Sequence, residues 1–328
     1  MRLLITGGCG FIGVNLVNRL CGPDSQLLVL DDQSAGSLEY LRDVLPTVQT
    51  VAPDALPEKP GVWFIPGNIR DSDLVEQITP RLDAIIHLAA QTEVVDSVLN
   101  PLHDMEVNVL GSLGLLEAAR KHGVKKFILA SSAATLGEQA PPLDEEKPLR
   151  PLSPYGASKV ADEAYCSAYW HCYGIETVAL RFSNVYGPRS FHKGSVIAVF
   201  IKHVLQGKPL VIYGDGEQTR DFLYVEDLAD AIGTCLSSQT RKIGGEVFQI
   251  ATGRETSVNQ VAAIIKDLAL RSGVKPDIRH EAARPGEIYR NYADITKARR
   301  LLGYDPKTNL TEGIGATWEW FASNRQNA

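Results

Sequence analysis

Apolar residues in this 328-residue chain fall into two alternating rhythms. Short β-rich runs occupy residues 3–6, 27–30, 62–66, 84–88, 127–130 and 177–180, and stretches with the 3.6-residue period of helices lie between them. Strands that alternate with helices predict a parallel sheet covered by helices on both faces. In 106–120, Val107, Leu110, Leu113, Leu115 and Leu116 recur at helical spacing, and Lys121-His122-Gly123 supplies the cations and the glycine of a helix end. Between 33 and 60 the pattern weakens into Pro-, Asp- and Thr-containing sequence, which reads as a surface excursion. Past about residue 183 the alternation loosens: an amphipathic stretch at 196–205, a strand at 210–213, and helices near 258–270 and 310–321. The pattern divides the chain into a first lobe, 1–182, with a return segment at about 225–250, and a smaller α/β lobe drawn mainly from 183–328 that interleaves with it.

Composition narrows the classes. With 44% hydrophobic and 22% charged residues the chain can bury a large core, which excludes disordered and fibrous proteins. A net charge of -6 gives no general attraction to nucleic acid or anionic membranes. Five cysteines without a Cys-x-x-Cys suggest neither a disulfide framework nor a zinc site, so a reducing cytoplasm is the expected setting. The apolar start reads as a strand entering a glycine turn, too short for a secretory core, and no apolar run approaches the roughly 20 residues that span a bilayer.

The chemistry starts at that turn. Gly7, Gly10 and Gly13 follow the first strand and open a helix, where bare backbone can approach a pyrophosphate that the helix N-terminus attracts. A glycine triplet alone also suits any tight strand-to-helix turn. The second strand, however, ends in Asp31-Asp32, where a carboxylate can accept hydrogen bonds from a ribose diol and would repel a 2′-phosphate, so NAD is expected over NADP. Asn68-Ile69 and Leu88-Ala89-Ala90-Gln91 follow the third and fourth strands, at the sheet edge where a doubly wound fold of Rossmann type presents its ligand. Tyr155 and Lys159 stand at i and i+4, neighbours on one helical face. A free phenol is a poor base at neutral pH, but an adjacent cation favours the phenolate, and Tyr155 could then take a proton from a sugar hydroxyl. Ser131-Ser132 ends the fifth strand and brings a hydroxyl to the same crevice.

Six segments together make nearly the whole chain similar to the extended short-chain dehydrogenase/reductase family, and within it to the NAD-dependent nucleotide-sugar epimerases and dehydratases. They are Thr6-Gly7-Gly8-Cys9-Gly10-Phe11-Ile12-Gly13, Ser131-Ser132-Ala133-Ala134, residues 155–159, residues 181–189, residues 214–221 and Arg284-Pro285-Gly286-Glu287. The resemblance implies catalysis by Ser132, Tyr155 and Lys159. It implies an NAD site lined by Gly7, Gly10, Phe11, Ile12, Gly13, Asp31, Asp32, Gly36, Asn68, Ile69, Leu88, Ala89, Ala90, Asn108, Tyr155, Lys159 and Phe182, with no metal. Asn68 departs from the aspartate usual in the family.

Read without the family, Arg220 and Arg284 are guanidiniums in polar glycine-containing loops, the side chain whose planar fork suits phosphate oxygens. The resemblance puts both on the pyrophosphate of a nucleoside-diphosphate sugar, with Asn184 beside it, Glu287 near the ribose, and Val211 and Tyr213 around the base. Related 4,6-dehydratases carry Thr-Asp-Glu after the strand-end serine, and UDP-glucuronate decarboxylases a Glu; here the residues are Ser132-Ala133-Ala134. The resemblance therefore implies reversible oxidation at carbon 4 of a UDP-hexose, a 4-epimerase working as a homodimer through the helices near 106–120 and 157–173. Dehydration or decarboxylation of a nucleotide sugar, UDP-glucuronate 4-epimerisation, and an NAD-sensing scaffold are the alternatives. Leu136 replaces a family tyrosine. Glu93 near the sugar would disfavour a uronic acid unless it points away, and Asn291, where a bulky tyrosine excludes N-acetylated sugars in some relatives, leaves room for UDP-GlcNAc and UDP-GalNAc.

Overall fold

Each of the six apolar runs forms a strand of one sheet in the computed structural model, which describes residues 1–238, 243–283 and 288–324. β1 (Arg2–Thr6) passes through the glycine turn into α1 (Phe11–Leu20), and β2 (Gln26–Asp31) leads to α2 (Leu38–Val44) and the edge strand β3 (Gln49–Thr50). β4 (Gly61–Pro66) precedes α3 (Ser72–Ile78); β5 (Ala84–His87) precedes α4 (Val94–Leu99), α5 (Pro101–Met105) and α6 (Gly111–His122). β6 (Lys126–Ser132), α7 (Pro154–Tyr173) and β7 (Glu176–Phe182) follow. Next come β8 (Asn184–Tyr186), α8 (Val196–Leu205), β9 (Leu210–Tyr213), β10 (Thr219–Arg220), β11 (Phe222–Tyr224), α9 (Val225–Ser237) and β12 (Glu246–Ile250). β13 (Thr256–Ser257), α10 (Val258–Arg271), β14 (Ile278–Glu281), α11 (Thr296–Leu302) and α12 (Leu310–Ser323) end the described chain.

The main sheet has eight strands in the order β3-β4-β2-β1-β5-β6-β7-β12, all paired parallel. From β1 the chain works outward to one edge, then crosses back to β5 on the other side of β1. Such a switch opens a crevice at the C-terminal strand ends, where doubly wound sheets take their ligands. Successive strand residues face opposite sides, and both sides are covered, which is why these strands read as unbroken apolar runs. Leu3, Ile5 and Val29 join Val14 of α1 and Ile232 of α9 in one core; Leu4, Leu28 and Ile85 join Leu74 of α3 and Leu116 of α6 in the other. A third cluster lies among α8, α10 and α12, with Phe200, Ile201, Val261, Ile265, Trp318 and Phe321 buried together. β12 extends the main sheet beyond β7.

Two local differences have physical reasons. The weak segment 33–60 contains α2 and β3, short elements with few buried positions; Ser37 caps α2 by accepting from Glu39 N at 3.1 Å. The helix expected from residue 106 continues from α5, and Glu106–Leu110 winds as a π-helix before α6. Such wide turns recur at functional sites because they re-aim a side chain; here the turn contains Asn108. Among the described residues no helix is long and apolar enough to cross a membrane.

Candidate active site

Close backbone approach explains the glycine loop. Gly7 has φ +71°, and a Cβ there would lie 2.6 Å from Ala89 N, so the loop after β1 rests directly on the loop after β5. A Cβ on Gly13 would lie 2.2 Å from Gly7 O, which forces the first turn of α1 onto the strand end. Gly10 is the N-cap of α1, with no side chain over the helix N-terminus. The resulting bare cradle, which side chains would fill, fits a pyrophosphate. Gly36 packs against the carbonyl of Cys9 and thereby closes one side of the loop. Phe11 is buried and Ile12 half-buried in the opening turn of α1.

Asp31 and Asp32 divide their work. Asp31 is buried, and its oxygens accept from Cys9 N at 2.9 Å and Gln33 N at 2.7 Å, which ties β2 to the glycine loop. Burial raises its pKa above the usual carboxylate value, against the two backbone bonds. Asp32 is exposed and accepts from Asn68 Nδ2 at 2.7 Å, while Asn68 Oδ1 accepts from Arg70 N at 2.9 Å. An amide at 68 thus bridges Asp32 where a carboxylate would repel it. Ile69, in the loop after β4, is buried against Gly111 at the start of α6.

Leu88, Ala89 and Ala90 are half-buried at the end of β5, next to the cradle. Asn108 is fully buried and fixes the following residue: Gln91 N donates to Asn108 Oδ1 at 2.8 Å, and Asn108 Nδ2 donates to Gln91 O at 3.0 Å and to Ser158 Oγ at 3.1 Å. The π-turn therefore joins the β5 loop to α7, a connection that sequence periodicity did not reveal.

Ser153 caps α7, accepting from Gly156 N at 3.1 Å, and Pro154 occupies the first turn, so Tyr155 stands half-buried at the helix start. Lys159 follows one turn later. The adjoining strand ends are held by a buried cluster: Ser131 Oγ donates to Glu163 Oε1 at 2.5 Å, and Arg181 meets the same carboxylate through two bonds of 2.8 Å. Ser131 is therefore spent on structure, while Ser132, half-buried on the alternate side, accepts from Ala134 N at 3.2 Å and starts the 3-10 turn Ala133–Thr135. Gly156 lets that turn touch α7: a Cβ there would lie 2.6 Å from Ala134 O. Phe182 is buried and pairs in register with Ser132 across β6 and β7. Lys159 Nζ is 3.2 Å from Asp162 Oδ2. Burial pulls the ammonium down, but Asp162 and Tyr155 outweigh it, and its pKa lies above the usual lysine value.

Beyond the main sheet, one cavity gathers Asn184, Val211, Tyr213 and Arg220, together with Phe200 and Gln218. Arg220 is half-buried and its Nη1 donates to Thr219 O at 2.7 Å and Ile288 O at 2.8 Å, bonds that fix the guanidinium at the wall. Sequence reasoning missed Phe200 and Gln218; the latter stood inside the 214–221 segment already quoted. Arg284 and Glu287 lie outside the described residues. Leu136 is fully buried, a core residue under the 3-10 turn. Glu93 is 62% exposed and 3.7 Å from Lys193, so its charge has a cation beside it. Asn291 is half-buried. Among the described residues no His, Cys, Asp and Glu group could hold a metal ion.

Residues 3–251 match the NAD dependent epimerase/dehydratase family. The chain belongs to that family. Its members therefore supply the cofactor, NAD, and the Rossmann fold that the glycine cradle and parallel sheet display. A UDP-glucose 4-epimerase of Mycolicibacterium smegmatis is 35% identical over 331 residues, covering 99% of this chain and 100% of the relative. A crystal structure of UDP-glucose 4-epimerase with UDP-glucose from Thermotoga maritima superposes with a TM-score of 0.87 at 34% identity, over 99% of this chain and 100% of the other. The Thermus thermophilus UDP-glucose 4-epimerase complex with NAD gives 0.83 at 35% identity, over 99% and 100%. The epimerase/dehydratase family also includes similar dehydratases, such as a dTDP-glucose 4,6-dehydratase of Streptomyces niveus, 33% identical over 99% of this chain and 94% of its own. A UDP-glucuronate 4-epimerase of Thermodesulfobacterium geofontis is 33% identical over 98% and 96%. The protein is an enzyme of this family, similar to UDP-sugar epimerases.

Proposed function

We propose that the enzyme inverts carbon 4 of a UDP-linked hexose, interconverting UDP-Glc and UDP-Gal, with UDP-GlcNAc and UDP-GalNAc as a second pair. The observation that carries this reading is the 3-10 turn Ala133–Thr135 after Ser132, which holds no carboxylate. Eliminating water or managing a β-keto acid asks for a further acid or base near the sugar, and this turn offers none.

In this reading Tyr155 takes the proton of the 4-hydroxyl and returns it at the end of the cycle. Lys159, fixed one turn on, stabilises negative charge on the Tyr155 oxygen. Ser132 hydrogen-bonds the same hydroxyl and orients it. NAD, when bound, supplies a hydride acceptor that becomes the donor in the second half. The residues assigned to hold it are Gly7, Gly10 and Gly13 under the pyrophosphate, Asp31 and Asp32 at the ribose, and Leu88, Ala89 and Ala90 at the sheet edge. Arg220 and Asn184 face the substrate diphosphate and Val211 and Tyr213 its base; Arg284 and Glu287 complete the set.

The working unit in this reading is a homodimer. The face that a second copy would cover includes Leu99 and Leu102, which are 78% and 69% exposed.

A panel of UDP-hexoses, their N-acetyl forms and UDP-glucuronate, resolved by chromatography and mass, tests the proposal. UDP-galactose is expected to yield UDP-glucose at unchanged mass. A product lighter by water or carbon dioxide would assign dehydration or decarboxylation instead, and no turnover across the panel would refute the reading.

A further inference from the structure

The buried ammonium at the site faces more acid than its own charge requires. Asp162, three residues after Lys159 on α7, meets it at 3.2 Å with side chains 1% and 2% exposed. The second oxygen of Asp162, Oδ1, is buried, and burial raises the carboxyl's pKa against the pull of Lys159 and Ser112. From α5, Asp104 adds another buried carboxylate whose field reaches Lys159. The remaining groups packed around the lysine are neutral or already paired. His87 on β5 is fully buried, bonded to Thr6 at 2.7 Å and Ser112 at 2.9 Å, and held neutral with a pKa near about 3 by burial. Ser112 on α6 gives its proton to Asn108 O at 2.5 Å. Glu163 is neutralised by Arg181, and burial drives the Cys166 thiol well up, so it stays protonated.

An acid so placed is costly unless it does something for its partner. We propose that Asp162 is a positioning residue that tunes the Tyr155–Lys159 pair: its carboxylate anchors the ammonium and cancels part of the field that the ammonium casts on the Tyr155 oxygen. The inference rests on Tyr155 and Lys159 being the proton-transfer pair. Two opposing effects follow from one charge. Asp162 keeps Lys159 protonated to higher pH, and it weakens the help that Lys159 gives to a phenolate. The enzyme's working range is set higher than that of a tyrosine beside a lone lysine.

The test compares wild type, Asp162→Asn and Asp162→Glu, each loaded with NAD, by two readouts. The first is the pH profile of UDP-sugar turnover. The second is the ultraviolet difference absorbance of tyrosinate during a pH titration, with Tyr155→Phe in each background as the blank that isolates this one phenol. Asp162→Asn is expected to move the alkaline limb, set by Lys159, to lower pH by about one unit because a close opposite charge is removed, and the acid limb, set by Tyr155, the same way by less because a like charge farther off is removed. The tyrosinate signal is expected to move the same way, while Asp162→Glu leaves both in place. Should Asp162→Asn fail to fold, Asp104→Asn is expected to give a smaller shift in the same direction. A fall in rate with unmoved limbs and an unmoved tyrosinate titration would overturn the proposal and leave Asp162 a packing residue. If the tyrosinate titration shifts but no UDP-sugar turns over, the coupling stands and the assigned reaction is what fails.

Discussion

The cluster of Ser131, Glu163 and Arg181 ties the strand ends β6 and β7 to α7, the helix that carries Tyr155 and Lys159. Both oxygens of Glu163 receive Arg181 at 2.8 Å, Ser131 adds a third bond at 2.5 Å, and all three residues are buried. Removing one ion of a buried pair strands the other, which costs about 3–5 kcal/mol. Glu163→Leu and Arg181→Leu alone are each expected to lose that much, a fall in melting temperature of roughly 4–7 °C for a chain of this size. The double variant removes both charges and leaves only the Ser131 hydroxyl without its acceptor, a loss of about 1–2 kcal/mol. The coupling energy across the cycle therefore exceeds about 3 kcal/mol, far above the scatter of independent sites. Urea unfolding followed by tryptophan fluorescence measures all four corners. Single losses under about 1 kcal/mol that simply add would match an exposed pair and would refute this account of how α7 is held.

Three further outcomes follow from the geometry. Gly13→Ala places a methyl 2.2 Å from Gly7 O, so the loop must open; isothermal titration is expected to show NAD affinity at least tenfold weaker, and unchanged affinity would contradict the cradle. His87 is held at about 3, well below its ordinary 6.5, because burial penalises the cation. Its depressed folded value means the unfolded chain binds the proton first, so stability falls as pH drops below about 6.5, by about 2 kcal/mol at pH 5 from this group; a melting temperature independent of pH between 7 and 5 would count against it. For the homodimer proposed above, Leu99→Glu with Leu102→Glu puts charge on the exposed α4–α5 face; light scattering that shows one mass for wild type and half that mass for the variant, with the far-ultraviolet dichroism retained, is the expected outcome, and a wild-type monomer would refute that part of the proposal.

Much of the fold was legible because the main sheet is covered on both faces. Strands such as Leu27–Leu30 then carry apolar residues at every position, a pattern with few other readings. The second half was harder. β10 and β13 are two residues each and pair antiparallel, too short for any periodicity to register. The glycine cradle was readable because Gly7, Gly10 and Gly13 stand together at one strand-to-helix turn, and Gly13 is demanded by the backbone of Gly7 and Gly8 a few residues before it; that Gly7 answers to Ala89 across the sheet was not readable. Nor were the roles of Asn108 and Glu163, since each acts across elements distant in sequence: Asn108 reaches Ser158 fifty positions away. The helical pattern around 106 did not signal a π-turn, because one wide turn of Glu106–Leu110 is shorter than the window over which a period registers. Asp31 was expected at the ribose; its bonds to Cys9 N and Gln33 N give it a part in shaping the loop that the sequence did not signal.

The central claim is a closed redox cycle at one carbon, and isotope tracking tests it most directly. UDP-galactose deuterated at carbon 4 is incubated with the NAD-loaded enzyme in ordinary water, and the UDP-glucose formed is isolated and its label located. The account predicts product of unchanged total mass with deuterium still at carbon 4, because the hydrogen leaves and returns within one enclosed site. Loss of the label to solvent, or a product lighter by water or carbon dioxide, would contradict it.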